Sequence, residues 1–99
     1  MKQLQKAKVE QIARRIAKQY GEKYVPVRYE DRMNVQGYYG PRVFPGSHEE
    51  VNSNWIISWE ECPGYEWSYR DDILNIVREV APGFYPEAIN HFSVGFYEA

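Results

Sequence analysis

Apolar residues near the start of the chain fall at Val9, Ile12, Ala13, Ile16, Ala17 and Tyr20. That three-and-four spacing lays one stripe along a helix, so residues 3–20 are expected to form an amphipathic α-helix. Lys8, Gln11, Arg14, Arg15 and Lys18 collect on the opposite face, and Gly21 supplies a C-terminal stop. The next stretch, KYVPVRYE at 23–30, is rich in β-branched and aromatic residues and reads as a strand. Pro26 removes one ladder donor and places that strand at an edge or a bulge.

Residues 31–54 show no period and are punctuated by Gly37, Gly40, Pro41, Pro45 and Gly46. They read as an irregular loop with room for a short strand near Arg42–Phe44. In NWIISWE, 54–60, Trp55, Ile57 and Trp59 alternate with the period of two that a pleated sheet imposes. Pro63-Gly64 then marks a turn, and Tyr65, Trp67 and Tyr69 alternate as a short returning strand. Ser68 and Asp71 have capping-box spacing at a helix start. Ile73, Leu74, Val77 and Val80 give that helix its apolar stripe over about 69–80, and Pro82-Gly83 ends it.

At the C-terminus, Phe92, Val94 and Phe96 alternate with His91, Ser93, Gly95 and Tyr97, a final strand with one packed face and one partly wet face. The expected fold is therefore α+β: a single small domain with an N-terminal amphipathic helix, a mostly antiparallel sheet of about 3–5 strands, a second helix near 69–80 and a C-terminal strand.

Ninety-nine residues are expected to form one domain spanning 1–99. Hydrophobic residues at 43% and charged residues at 26% fit a folded rather than a disordered chain. Cys62 is the only cysteine, so no internal disulfide forms, which suits a reducing, cytoplasmic setting. The first 21 residues mix charge with apolar positions and are not expected to act as a signal peptide. No apolar run reaches the roughly 20 residues of a membrane span.

Charge is segregated. Residues 1–28 carry eight basic side chains (Lys2, Lys6, Lys8, Arg14, Arg15, Lys18, Lys23, Arg28) against Glu10 and Glu22. The remaining residues hold four basic and twelve acidic side chains. Such an asymmetry marks either a charged partner surface or internal complementarity.

Catalytic signals are sparse. His48 and His91 are the residue types of a paired acid–base site, and Cys62 with His91 and Asn90 has the composition of a thiol triad. Glu60 and Glu61, however, flank the cysteine and disfavour its thiolate. His48-Glu49-Glu50 lacks the i, i+4 histidine pair of a helical metal site, and no glycine spacing makes a phosphate loop. Neither a metal nor a cofactor is expected.

The basic face of the first helix could contact phosphates, but the acidic balance of the rest of the chain opposes a long polyanion. The aromatic segment after residue 31 suits a protein interface better, because tyrosine and arginine bury large area at low entropic cost. The expectation is a small non-enzymatic protein-binding module using Tyr38, Tyr39, Arg42 and Phe44 with an acidic patch of Glu49, Glu50, Glu60, Glu61 and Glu66. Its size and charge suggest an inhibitor or immunity-type protein that occludes a basic site on a nucleic-acid-processing partner. The alternatives are a small hydrolase or nuclease using His48 and His91, and nucleic-acid binding through Lys8, Gln11, Arg14, Arg15 and Lys18. An edge strand and spare aromatics would also permit a homodimer.

Overall fold

In the computed structural model, residues 4–19, 41–48, 53–58, 71–90 and 93–98 are described. Two helices, α1 (Lys6–Gln19) and α2 (Asp71–Val80), accompany four strands: β1 (Arg42–His48), β2 (Ser53–Ser58), β3 (Phe84–Asn90) and β4 (Ser93–Glu98). The sheet order is β1-β2-β4-β3, with every neighbouring pair antiparallel. Two consecutive-strand pairs, β1–β2 and β3–β4, are thus joined side by side through β2 and β4, and α2 connects one pair to the other. This is the α+β architecture expected from the sequence, helix first and strand last.

The apolar stripe of α1 is buried as its spacing requires: Val9, Ile12, Ala13 and Ile16 are at 0% exposure. The helix starts from Gln5, whose carbonyl accepts hydrogen bonds from the N–H groups of Lys8 and Val9. α2 buries Ile73, Ile76 and Val77. Leu74, expected in that stripe, is only half-buried, because the packed face is centred one position away from it. Asp71 and Asp72 occupy the first turn, where the helix dipole favours negative charge, and Asp72 Oδ1 accepts from the Ile73 N–H at 2.9 Å.

Val43, Ile57 and Val94 form one cross-strand row, and with Phe96, two positions along β4 on the same face, they pack under the helices with Ile12, Ile16, Ile73 and Val77. Burying each side chain of this size contributes about 1.5–3 kcal/mol. α1 lies over β1 and β2, and α2 over β3. Trp55 packs at the margin of this core, with the Lys6 ammonium 5.1 Å from its ring centre. The seam between β2 and β4 is also bridged on the other face, where Ser58 Oγ and Ser93 Oγ share a 2.7 Å hydrogen bond.

Two strands differ from the sequence reading. Part of the segment 31–54 is not irregular, since β1 runs through Arg42–His48 and β2 begins at Ser53. The C-terminal region contains two strands where one was expected, because β3 precedes β4. β1, longer than the short strand allowed near Arg42–Phe44, and β3, which was not expected, each contain a proline, Pro45 and Pro86, and both lie at the outside of the sheet among the described residues.

An antiparallel ladder alternates between pairs that exchange two hydrogen bonds and pairs that exchange none. Proline can occupy only the second kind, so Pro86 opposite Phe96 and Pro45 opposite Trp55 turn their nitrogens away from the neighbouring strand. Each of these strands also carries a register shift, between Pro45 and His48 in β1 and between Ala88 and Asn90 in β3. A missing donor and a bulge on an outer strand are both devices that hinder pairing with another chain.

The turn from α2 into β3 is of type II. Phe84 N–H donates to the Ala81 carbonyl at 3.1 Å, Pro82 takes the second position, and Gly83 the third with φ of +90°. A Cβ on Gly83 would meet nothing within 4 Å, so Gly83→Ala carries a purely conformational penalty. It is expected to lower unfolding free energy by about 1–2 kcal/mol in urea titration. The expected strand at 23–30, the returning strand at 65–69, Tyr20 and the Ser68 cap lie outside the described residues.

Candidate binding groove

The two helices lie side by side and run antiparallel. Gln19 at the end of α1 donates from Nε2 to Asp72 Oδ2 at the start of α2, and Arg15, one turn earlier, reaches Glu79 near the end of α2. Towards the start of α1 the helices leave an open groove of about 450 Å³ lined by Lys8, Gln11, Arg14, Arg15, Glu79 and Val80.

Four of the five residues singled out on the polar face of α1 therefore line one surface. The fifth, Lys18, sits in the last turn, where its charge favourably meets the helix dipole. Burial of Val9, Ile12, Ala13 and Ile16 fixes the rotation of α1, and that rotation holds Lys8, Gln11 and Arg15 outward. The long stems of the lysine and arginines line the walls while their heads stay in water.

Among the described residues, three cationic side chains and one carboxylate line the groove. Arg15 Nη2 pairs with Glu79 Oε2, their side chains being 45% and 62% exposed. Arg14 Nη2 lies 3.9 Å from Glu10 Oε2, an i, i+4 pair on α1. Exposed pairs of this kind are worth about 0–1 kcal/mol each. Arg15 is thus positioned by a weak contact that an incoming anion can exchange.

Sequence reasoning missed Glu79 and Val80. Both belong to the polar and flanking positions of α2, and only the antiparallel packing of the two helices carries them to α1.

Of the residues singled out in the aromatic segment and the acidic patch, only Arg42 and Phe44 fall among the described residues. Arg42 and Phe44 lie on β1, where the sequence allowed a short strand; Arg42 is half-buried and Phe44 is 8% exposed, facing away from the helices beside Ile56. Phe44 accordingly serves as a buried sheet residue. Tyr38, Tyr39, Glu49, Glu50, Glu60, Glu61, Glu66 and Cys62 lie outside the described residues. On the same sheet face as Phe44, Tyr85 and Tyr97 stack with ring centres 5.8 Å apart, and Tyr85 is 39% exposed.

His48 closes β1 opposite Ser53, and His91 lies outside the described residues. Asn90 and Ser93, which flank it in sequence, belong to the end of the sheet where Arg42 pairs with Ser58. His48 is six residues along β1 from Arg42, about 20 Å at 3.3 Å per residue. Among the described residues no group of three His, Cys, Asp or Glu side chains is placed to hold a metal ion, and no helix is long and apolar enough to cross a membrane.

Fold and groove together define a two-layer α+β domain with an exposed, predominantly basic cleft between its helices. Comparison with protein-family models, curated proteins and solved structures finds no match to this chain.

Proposed function

We propose that the domain is a non-enzymatic binding module for another protein and that the α1–α2 groove is a docking surface for it. One observation carries this reading: Lys8, Gln11, Arg14 and Arg15 converge on a single open groove between two helices anchored in the core. Polar and charged groups held on a rigid scaffold suit recognition, because little ordering cost remains to be met on binding.

A protein partner is favoured over nucleic acid for two reasons. Among the described residues the groove lining includes Glu79 and no aromatic ring on which a base could stack. Beyond residue 28 the chain carries twelve acidic against four basic side chains, which repels a long polyanion. The tyrosine pair Tyr38 and Tyr39, with Arg42 and the acidic patch Glu49, Glu50, Glu60, Glu61 and Glu66, belongs to the proposal as a second contact region. Occlusion of a basic site on a nucleic-acid-processing partner is the role that acidic region would serve.

The test is photo-crosslinking in the native cells, with the reactive side chain placed at Gln11 in the groove or at Tyr85 on the far side of the sheet. Adducts to a defined protein from Gln11, lost when Lys8 and Arg15 are changed to glutamate, are the expected result. Protein adducts from Tyr85 alone, or Gln11 adducts indifferent to those changes, would remove the groove from the proposal.

A further inference from the structure

We infer that the occupant of the groove is an acidic, extended segment of the partner protein, and that it takes Arg15 from Glu79. The inference rests on the protein-binding reading above and names the chemistry of the partner. Lys8 and Arg15, both in the groove lining, are seven positions apart on α1, about 10 Å at 1.5 Å per residue. Between them Gln11 and Arg14 continue the lining at steps of three residues. An extended chain presents alternate side chains on one side, about 6.6 Å apart at 3.3 Å per residue. Three carboxylates at alternate positions span about 13 Å, enough to reach from Lys8 to Arg15 along the groove wall.

Among the described residues Glu79 is the one carboxylate lining the groove, and it bonds directly to Arg15. It occupies the arginine in the way a ligand carboxylate would. At 62% side-chain exposure its carboxylate returns to water at little cost when displaced. Glu79 is therefore a built-in competitor: it holds Arg15 in position, weakens binding of weakly acidic segments, and leaves strongly acidic ones able to bind. Discrimination of this sort comes from a repulsive element placed beside the attractive ones.

The experiment uses the full chain and a fluorescein-labelled peptide with glutamate at alternate positions, read by fluorescence anisotropy at low salt. A peptide with serine for glutamate and a single-stranded thymidine oligonucleotide of equal charge serve as comparisons. The acidic peptide is expected to bind, to lose binding in the Lys8→Ala, Arg15→Ala double variant, and to bind about three- to fivefold tighter to E79Q, the factor set by one exposed ion pair. Circular dichroism establishes that each variant is folded. Unchanged peptide affinity in E79Q would overturn the displacement of Glu79 and leave the protein-binding reading intact. Tighter binding of the oligonucleotide than of the peptide would overturn both. Binding of neither probe would overturn the acidic occupant, and the Gln11 crosslinks would then decide the protein-binding reading separately.

Discussion

Phe96→Ala is expected to destabilise the domain by about 3–5 kcal/mol, the cost of deleting a buried aromatic ring and leaving its cavity. Phe96 is 1% exposed and lies on β4, which is flanked by β2 and β3, within the core cluster that both helices cover. Small domains hold only about 5–15 kcal/mol in total, so this one change removes a large fraction of the stability. Tyr97, the next residue, points to the opposite face, is half-buried and stacks on Tyr85. Tyr97→Ala is expected to cost only about 1 kcal/mol, mostly the lost aromatic pair. Urea titration of both variants measures the contrast, and similar losses at the two positions would contradict the assignment of their faces.

The second large effect concerns binding. Changing Lys8 and Arg15 together to glutamate removes two attractions and introduces two repulsions on the groove wall. Each term at an exposed site is worth up to about 1 kcal/mol, so the double variant is expected to lose about 2–3 kcal/mol of partner affinity. That corresponds to a Kd weaker by roughly thirty- to a hundred-and-fifty-fold. The loss should shrink as salt rises, because exposed charges are screened over about 8 Å at physiological ionic strength. Stability should fall by no more than about 1 kcal/mol, since Arg15 and Glu79 are both exposed. Calorimetric titration with the crosslinked partner, beside a thermal melt, separates the two quantities.

Local patterns made the helices and β2 legible. In α1 the buried set Val9, Ile12, Ala13, Ile16 and Ala17 coincides with the apolar spacing, because an amphipathic helix can bury only its stripe. In α2 the existence and end of the helix were readable from Asp71, Asp72 and Pro82-Gly83. The choice of Ile76 over Leu74 for the packed face was not, because it depends on which neighbour the helix meets. The full length of β1 and the existence of β3 were obscured for a common reason. Pro45, Gly46 and Pro86 are breakers in a central strand but are tolerated on an outer one, and position in the sheet is a property of the whole fold. The pairing of β2 with β4 joins Ile57 to Val94 across the length of α2 and β3, and no local spacing records it.

The site divides in the same way. Lys8, Gln11, Arg14 and Arg15 were visible as the polar face of one helix. Glu79 and Val80 complete the groove from a second helix more than sixty positions away in the chain. Phe44 was open to two readings, because an aromatic ring beside glycines and prolines suits an interface loop as well as a strand. Its burial beside Ile56 places it in the sheet.

The most direct measurement is an amide NMR titration of the isotopically labelled domain with the protein partner captured through Gln11. The account predicts shifts concentrated at Lys8, Gln11, Arg14, Arg15, Glu79 and Val80, with β3 and β4 quiet. Shifts confined to Tyr85, Tyr97 and their strands, with α1 unmoved, would contradict it.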